Sequence, residues 1–151
     1  LDLSLGMLGE ARAALPIPLL QSRAEELPLA DASVDFVSMG YALRHVTDLG
    51  VLFAEFRRVL RPGGRVLVME IARPESRLGY ALTKAYVGGV VPMLSRMLGR
   101  DSRLLMRYYW DTIDACVPPA EILARLGEAG LAEVSCETEL GAFRAYRARR
   151  A

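Results

Sequence analysis

The pattern of apolar and polar positions is clearest in the middle of the chain. After Asp48, apolar residues recur at helical spacing with charged residues between them, which predicts an amphipathic helix. This helix ends at the Pro62-Gly63-Gly64 turn, and Arg65 to Ile71 follows as a nearly continuous apolar run, typical of a strand covered on both faces. A β-rich run, Ser33 to Met39, precedes the helix. Strand, helix and strand form a βαβ unit, so the pattern predicts a parallel pair with a right-handed crossover.

The two ends of the chain extend this α/β pattern. Residues 1–4 are typical of the end of a strand, and Ser4 is a good N-cap for a helix over Leu5 to Leu15, which Pro16 stops. The short apolar run Ile17 to Leu20 predicts a buried strand. Toward the C-terminus the pattern predicts helices over Leu78 to Leu98, Ser102 to Ala115 and Ala120 to Ala129, then strands over Val134 to Thr138 and Phe143 to Ala148. The last two strands are close enough to form an antiparallel pair at the edge of an otherwise parallel sheet.

Composition places the chain among ordinary globular domains. It has 151 residues, of which 52% are hydrophobic and 25% charged. These values exclude a disordered chain, a collagen-like repeat and a disulfide-stabilised miniprotein. The net charge of +1 gives no field that would attract nucleic acid. A nucleic-acid surface would need interleaved aromatics over a broader basic face than the arginines at 144, 147, 149 and 150 form, so we interpret them as a solvated last strand and tail.

Cysteine usage and targeting signals indicate in which cellular compartment the protein resides. Cys116 and Cys136 stand apart, without a CxxC pair or a nearby histidine, so no metal site is expected and both are interpreted as core residues of a reduced, cytoplasmic protein. No signal peptide is visible at the N-terminus. The most apolar stretch, Val87 to Leu98, is too short to cross a bilayer and is interrupted by Pro92 and Arg96. Its simplest interpretation is a helix core, and a wall around a greasy substrate or a surface segment that contacts a membrane are the alternatives.

Four residues lie where strands of the predicted sheet end. In α/β sheets ligands bind at the carboxyl ends of the parallel strands. Asp2, Arg23, Gly40 and Glu70 occupy such ends, so the candidate site is expected there and in the following loops.

Several segments are similar to a known enzyme family. Asp2 to Ser4, the Ala24 to Leu29 loop and the Asp35-Phe36-Val37 strand resemble class I S-adenosylmethionine-dependent methyltransferases. The segments Tyr41 to Asp48 and Arg58 to Arg65 are similar to the C-methyltransferases of menaquinone and ubiquinone biosynthesis. The resemblance is good from Asp2 to Pro74 and weaker but collinear to the end. It implies a Rossmann-like sheet, S-adenosylmethionine as cofactor and a prenylated quinol as the methyl acceptor.

The resemblance assigns cofactor roles to four residues. Asp2 matches the carboxylate that accepts hydrogen bonds from the ribose hydroxyls, although an aspartate at a helix N-terminus has the same sequence appearance. Arg23 and Ala24 match the place where the family contacts the adenine. Arginine has only donors, so Arg23 departs from the usual aspartate or asparagine, and either it stacks on the base or main-chain groups recognise the base. Gly40 allows close approach of the backbone to the cofactor, or it is a plain turn glycine.

The same resemblance places the acceptor near Arg44 and His45. Methylation of a quinol carbon requires deprotonation of a ring oxygen, and an arginine stabilises the resulting phenolate. Arg44 is therefore the first catalytic candidate. His45 stands where the family has asparagine and is the only histidine of the chain, which makes it the second candidate, for proton transfer. Glu70 either lines the pocket near the substrate or faces solvent.

The glycine-rich loop of this fold is missing from the printed sequence. A GxGxG segment should lie about twenty residues before the ribose carboxylate, and no GxG occurs anywhere. We therefore expect residues 1–151 to be a single, incomplete methyltransferase domain that lacks the first strand and helix. Three alternatives stay open: an inactive remnant or partner subunit of a methyltransferase, a methyltransferase for another small molecule, and a membrane-associated scaffold. The sequence leaves a homo-oligomer and peripheral contact with the inner membrane face open as well.

Overall fold

The computed structural model describes residues 1–74, 76–90, 113 and 116–151. Its helices are α1 (Leu5–Ala14), α2 (Leu49–Val59), α3 (Arg77–Ala85) and α4 (Pro119–Glu128), with a 3₁₀ turn at Leu43–His45 and a π-helical turn at Tyr86–Val90. Its strands are β1 (Val34–Gly40), β2 (Leu60–Ile71), β3 (Leu131–Glu139) and β4 (Phe143–Arg150). The parts of the two helices expected over Leu78 to Leu98 and Ser102 to Ala115 that fall at residues 91–112 and 114–115 lie outside the described residues.

The four strands form one mixed sheet in the order β1-β2-β4-β3. β1 and β2 pair in parallel, and β4 pairs antiparallel with both β2 and β3. The expected α/β class, with its βαβ unit and its antiparallel pair at the C-terminal edge, is confirmed. The second edge of β1 pairs with no strand among the described residues.

Helix α2 begins at a side-chain cap and packs its apolar side on the sheet. Oδ1 of Asp48 accepts hydrogen bonds from the backbone N–H groups of Gly50 and Val51, at 2.8 and 3.1 Å, which satisfies donors that the first turn leaves open. The core joins this helix to α4 and to the inner face of the sheet through buried residues, among them Leu52, Phe53, Phe56, Val68, Ile122, Leu126 and Tyr146. The predicted helix therefore exists because its periodicity matches a real apolar partner surface.

The expectation that β2 is covered on both faces is wrong for the part of the chain that the structure describes. Val66, Val68 and Glu70 are buried, whereas Arg65 and Met69 are exposed on the other face. Helices of the described part of the chain cover one face of the sheet, so the strand alternates in burial although its sequence is almost continuously apolar.

The N-terminal region differs from expectation in its strands. Helix α1 forms behind its Ser4 cap as predicted, with the backbone N–H of Met7 donating to Ser4 Oγ at 3.3 Å. The expected strand over Ile17 to Leu20 is absent, and Ile17 is 54% exposed. Only an isolated parallel bridge joins Asp2 to Gln21, outside the four-stranded sheet. A single bridge without further neighbours cannot hold a buried strand.

The C-terminal arginines are not uniformly solvated. Arg147 and Arg149 are exposed and pair with Glu137 and Glu133, as a solvated strand would. Arg144 is only 8% exposed, and its Nη1 donates to Thr138 Oγ1 at 2.7 Å. Strand alternation turns Arg144 to the covered face, and Arg150, on the same face, is half-buried and donates to the backbone carbonyls of Arg57, Arg58 and Leu60. The interpretation of the whole run as solvated was therefore wrong.

No helix among the described residues is long and apolar enough to cross a bilayer.

Candidate functional site

The first group of predicted residues surrounds the bridge at the N-terminus. Asp2 donates its backbone N–H to the Leu20 carbonyl at 3.2 Å and accepts from the Ser22 N–H at 3.3 Å. The Asp2 side chain is half-buried, and its Oδ1 accepts from the Ser4 N–H at 2.7 Å. One carboxylate oxygen of Asp2 thus takes part in ordering the start of α1, which is the structural role that the sequence left open for this residue.

Arg23 and Ala24 follow this bridge directly and differ in their surroundings. Arg23 is largely exposed, and its Nη2 lies 3.3 Å from Oε1 of Glu25. Ala24 is half-buried and packs against the core. Arg23 lines a cavity of about 440 Å³ together with Leu3, Gln21, Ser22, Glu26, Leu27 and Pro28. The cavity adjoins Asp2 along the chain, so the structure brings the predicted ribose and adenine positions to one place.

A clamp from helix α2 holds the loop that follows Ala24. Oε1 of Glu55 accepts from the Leu27 N–H at 2.6 Å. Arg58 donates to the Leu27 and Leu29 carbonyls, at 3.1 and 2.9 Å, and to Asp31. The hydrogen bond from Arg58 holds the pKa of Glu55 below its usual value, so the carboxyl stays charged. The loop on which Arg23 and Ala24 lie is therefore anchored to a core helix.

The second group lies at the carboxyl ends of β1 and β2. Gly40 ends β1, and a Cβ built there would meet only the end of the Met69 side chain, at an ordinary 3.6 Å. Packing therefore does not require glycine at this position. The next residue, Tyr41, has a φ of 57°, a left-handed conformation that bulky residues rarely adopt. Its N–H donates to the Met69 carbonyl at 2.7 Å, which keeps the turn closed on β2.

Arg44 is held in place by the buried carboxylate of Glu70. Arg44 Nη1 donates to Glu70 Oε1 at 2.8 Å, and the Arg44 backbone N–H donates to Oε2 at 3.3 Å. The Ile71 N–H also donates to Glu70 Oε1, at 3.0 Å. The Glu70 side chain is 0% exposed and that of Arg44 9% exposed. The expectation that Glu70 faces solvent was wrong, because strand alternation turns it inward, where it orients the arginine, and its place near the substrate stays a prediction.

His45 is placed differently from its neighbour. Its backbone N–H closes the 3₁₀ turn on the Ala42 carbonyl at 3.0 Å, and its side chain is exposed. The turn thus gives residues 44 and 45 opposite environments, one buried beside a carboxylate and one at the surface. Among the described residues no cluster of three His, Cys, Asp or Glu side chains could hold a metal ion.

Polar side chains on the covered face surround the Arg44–Glu70 pair. Glu70 lies opposite Arg144 in the antiparallel register, and Val68 lies opposite Tyr146. Tyr146 is 0% exposed, and its hydroxyl has no hydrogen-bond partner among the described residues. Burial raises its pKa, so the hydroxyl stays protonated. Burial, helped by the charge of Glu70, raises the pKa of Cys116 to about 11.

Sequence reasoning missed Tyr41, Cys116 and Tyr146 as parts of this region. Tyr146 had a signal, because it alternates with Arg144 and Ala148 along β4 and so shares their face. Tyr41 had none, since left-handed backbone is expected at glycine, asparagine or aspartate rather than tyrosine. Cys116 comes near the pair only through the tertiary fold.

Solved structures with the same architecture show which fold the chain has. The chain superposes on a SAM-dependent methyltransferase from Thermotoga maritima with a TM-score of 0.69 and 23% identity, covering 99% of this chain and 71% of that one. A second S-adenosylmethionine-dependent methyltransferase, from Mesorhizobium loti, gives a TM-score of 0.65 and 20% identity, covering 99% and 78%. The fold is thus the Rossmann-like α/β sheet of class I methyltransferases. Within that class, the chain belongs to the ubiE/COQ5 methyltransferase family, which matches residues 2–146.

Curated relatives agree with this family. The chain is 34% identical over 141 residues to the ubiquinone/menaquinone biosynthesis C-methyltransferase of Syntrophotalea carbinolica, covering 88% of this chain and 57% of the relative. It is 38% identical over 130 residues to the demethylmenaquinone methyltransferase of Bacillus velezensis, covering 83% and 53%. A demethylmenaquinone methyltransferase of Mycolicibacterium vanbaalenii is 33% identical over 147 residues, covering 97% and 64%. The matched region thus spans between about half and two thirds of each of these relatives.

Proposed function

We propose that this chain forms part of an S-adenosylmethionine-dependent C-methyltransferase that methylates a prenylated quinol in menaquinone or ubiquinone biosynthesis. The observation that carries the proposal is the Arg44–Glu70 pair at the carboxyl edge of β1 and β2. It fixes a cation in the segment that is most similar to the quinone C-methyltransferases. Family membership and the printed activities of the relatives support the same reaction.

The described residues fit the cofactor on one side. Arg23 lines a cavity of about 440 Å³ that is large enough for part of a nucleoside, and Asp2 and Ala24 are chain neighbours of its lining residues Leu3 and Arg23. Asp2 would accept from the ribose hydroxyls, Arg23 would stack on the adenine, and Gly40 would let the backbone approach. Bound S-adenosylmethionine would supply an electrophilic methyl group on a sulfonium.

Arg44 would act on the acceptor. A quinol carbon becomes nucleophilic when the neighbouring ring oxygen loses its proton, and a guanidinium beside that oxygen stabilises the negative charge. Glu70 supports this role by fixing the Arg44 side chain before the acceptor arrives, so that less reorganisation is needed. Exposed His45, in the same turn, would take the proton from the ring oxygen.

The setting and the partners follow from the acceptor class. A prenylated quinol resides in a bilayer, so the proposal places the enzyme in the cytoplasm with access to the inner membrane face. The relatives' activities support a small-molecule substrate. The proposal leaves open whether copies of the chain associate with one another. It gives nucleic acid and metal ions no role in the reaction.

Cofactor binding tests the proposal most simply. S-adenosylmethionine is titrated calorimetrically into the purified chain, the Asp2→Ala variant and the Asp35→Ala variant, whose carboxylate is an exposed partner of Arg61. We expect wild type and Asp35→Ala to bind alike and Asp2→Ala to bind at least about tenfold more weakly, the loss of hydrogen bonds to a charged acceptor. Equal binding by Asp2→Ala would remove Asp2 from the site.

A subunit that binds cofactor only with a second chain is the alternative function. The observation that favours it is β1, whose second edge pairs with no strand among the described residues and is the kind of edge that accepts a strand from another chain. The absence of heat at millimolar cofactor with a folded chain would support this alternative and contradict activity of the chain alone.

A further inference from the structure

Helix α3 and the π-helical turn after it present an apolar stripe to the outside. Leu78, Leu82, Tyr86 and Val90 follow one another at intervals of four residues, which places each beside the next along the helical surface. Their exposed fractions are 70%, 62%, 61% and 41%. Large apolar side chains this exposed are normal singly, whereas a continuous row marks an interaction surface.

The orientation of α3 is the reverse of an ordinary surface helix. A helix on a globular domain turns its apolar stripe toward the core and its polar side outward. In α3 no residue is buried, and the half-buried positions are Gly79, Tyr80 and Thr83. The helix therefore turns its less apolar side toward the protein and its leucines away from it.

The charged residues of the segment that carries the stripe are both positive. Between Ser76 and Val90 the only charged residues are Arg77 and Lys84, and neither lies within the row of leucines. Arg73 lies close by, with its guanidinium carbon 4.2 Å from the centre of the Tyr80 ring, and the Lys84 Nζ lies 5.7 Å from the same centre. Two cations, those of Arg73 and Lys84, thus lie beside the ring of Tyr80. Glu75, the nearest acid in sequence, lies outside the described residues.

We propose that residues 76–90 dock this protein on an anionic lipid surface. The leucines and Tyr86 would enter the boundary between headgroups and acyl chains, while Arg77 and Lys84 would meet lipid phosphates, the arrangement of an interfacial amphipathic helix. The charge pattern favours lipid over a second copy of the chain. In a symmetric dimer the same face meets itself, which would bring Arg77 and Lys84 of one copy against those of the other.

Vesicle sedimentation tests the proposal without any methyl transfer, so its outcome is separate from that of the proposed function. The purified chain is mixed with vesicles of phosphatidylcholine alone or with a third of phosphatidylglycerol, at low and at high salt. We expect binding to the anionic vesicles that weakens with salt, because surface charge is screened. The Leu78→Ser/Leu82→Ser variant should bind at least about tenfold more weakly, since each leucine loses its apolar transfer energy.

Two further variants make the test specific. Leu140→Ser alters a leucine that is 92% exposed in the β3–β4 turn and should bind as wild type does. Lys84→Glu should lose the preference for anionic over neutral vesicles. Light scattering without lipid completes the test. A dimer that dissociates in the Leu78→Ser/Leu82→Ser variant, or anionic vesicles that bind wild type and that variant equally, would overturn the proposal.

Discussion

At the scale of single residues, the fold buries the arginine side chain of Arg44, a type usually found at the surface, and fixes its orientation by pairing it with Glu70. A charged group is buried only with a partner, since an uncompensated charge in the interior is costly. Glu70 accepts from the Arg44 side chain and from two backbone N–H groups, so its oxygens are used by the protein itself. Arg44 is consequently held in one orientation at the end of the sheet.

Cys116 reports on the charge of Glu70, which makes a testable prediction. Burial is the first cause of its raised pKa of about 11, and the negative charge of Glu70 is the second. In a Cys136→Ser background, the rate of alkylation by iodoacetamide should keep rising above pH 10, because the thiolate is the reacting form. The Glu70→Gln exchange removes the negative charge and should shift this profile to lower pH.

The unfolded chain provides the control for the Cys116 measurement. In urea the same thiol should titrate near the ordinary value of 9.0. A folded wild-type profile that levels off at that value would show that Cys116 is neither desolvated nor near a carboxylate. Circular dichroism of Glu70→Gln checks that the variant is folded, since loss of a buried partner destabilises strongly.

The sequence could predict some residues of the site but not their surroundings. Asp48 was predictable as a cap, because its chemistry acts on the next three residues. The environment of Glu70 depends on which face of β2 is covered, and the continuous apolar run of that strand conceals its alternation. Tyr41 adopts a left-handed backbone conformation that its own side chain disfavours, so the sequence could not predict it. Only the structure shows it, in the turn that is closed by the hydrogen bond to Met69.

At the scale of elements, local patterns predicted the helices and strands that have a partner. The βαβ unit, α4 and the antiparallel pair were predictable because their periodicity matches the surfaces they bury. Ile17 to Leu20 was not, because an apolar run becomes a strand only beside another strand, and the described structure offers Ile17 to Leu20 none.

Two glycines provide a matched prediction at this scale. A Cβ on Gly64, near the start of β2, would lie 2.9 Å from the Arg61 carbonyl oxygen, and the same atom on Gly127 in α4 would meet nothing within 4 Å. Gly64→Ala should lower the free energy of unfolding by about 1–3 kcal/mol, the usual cost of overpacking. Gly127→Ala should raise it by about 0.5–1 kcal/mol through helix propensity.

Urea unfolding of the two variants measures both changes. Equal effects of the two exchanges, or a stabilised Gly64→Ala, would show that the first residues of β2 are not packed as described. The comparison also separates a local clash from a general response to added methyl groups.

At the scale of the whole molecule, the fold and the family agree while the span is partial. The match over residues 2–146 assigns the chain to the ubiE/COQ5 methyltransferase family, and the matched region covers 53–64% of three relatives. The expectation of an incomplete domain stays a prediction. The sequence could indicate that residues 1–151 contain no glycine-rich loop, because a motif is a local pattern. It could not indicate what pairs with the second edge of β1, because that depends on contacts beyond the described residues.

Transfer of a labelled methyl group tests the central proposal most directly. The chain is incubated with S-adenosylmethionine carrying a tritiated methyl group and a reduced, short-chain demethylmenaquinone, and the label in the extracted quinone is counted. We predict transfer by wild type, a kcat at least about a hundredfold lower for Arg44→Met with little change in the KM for the cofactor, and a smaller loss for His45→Gln. Transfer by Arg44→Met at the wild-type rate, or none by a wild-type chain that binds the cofactor, would contradict the account.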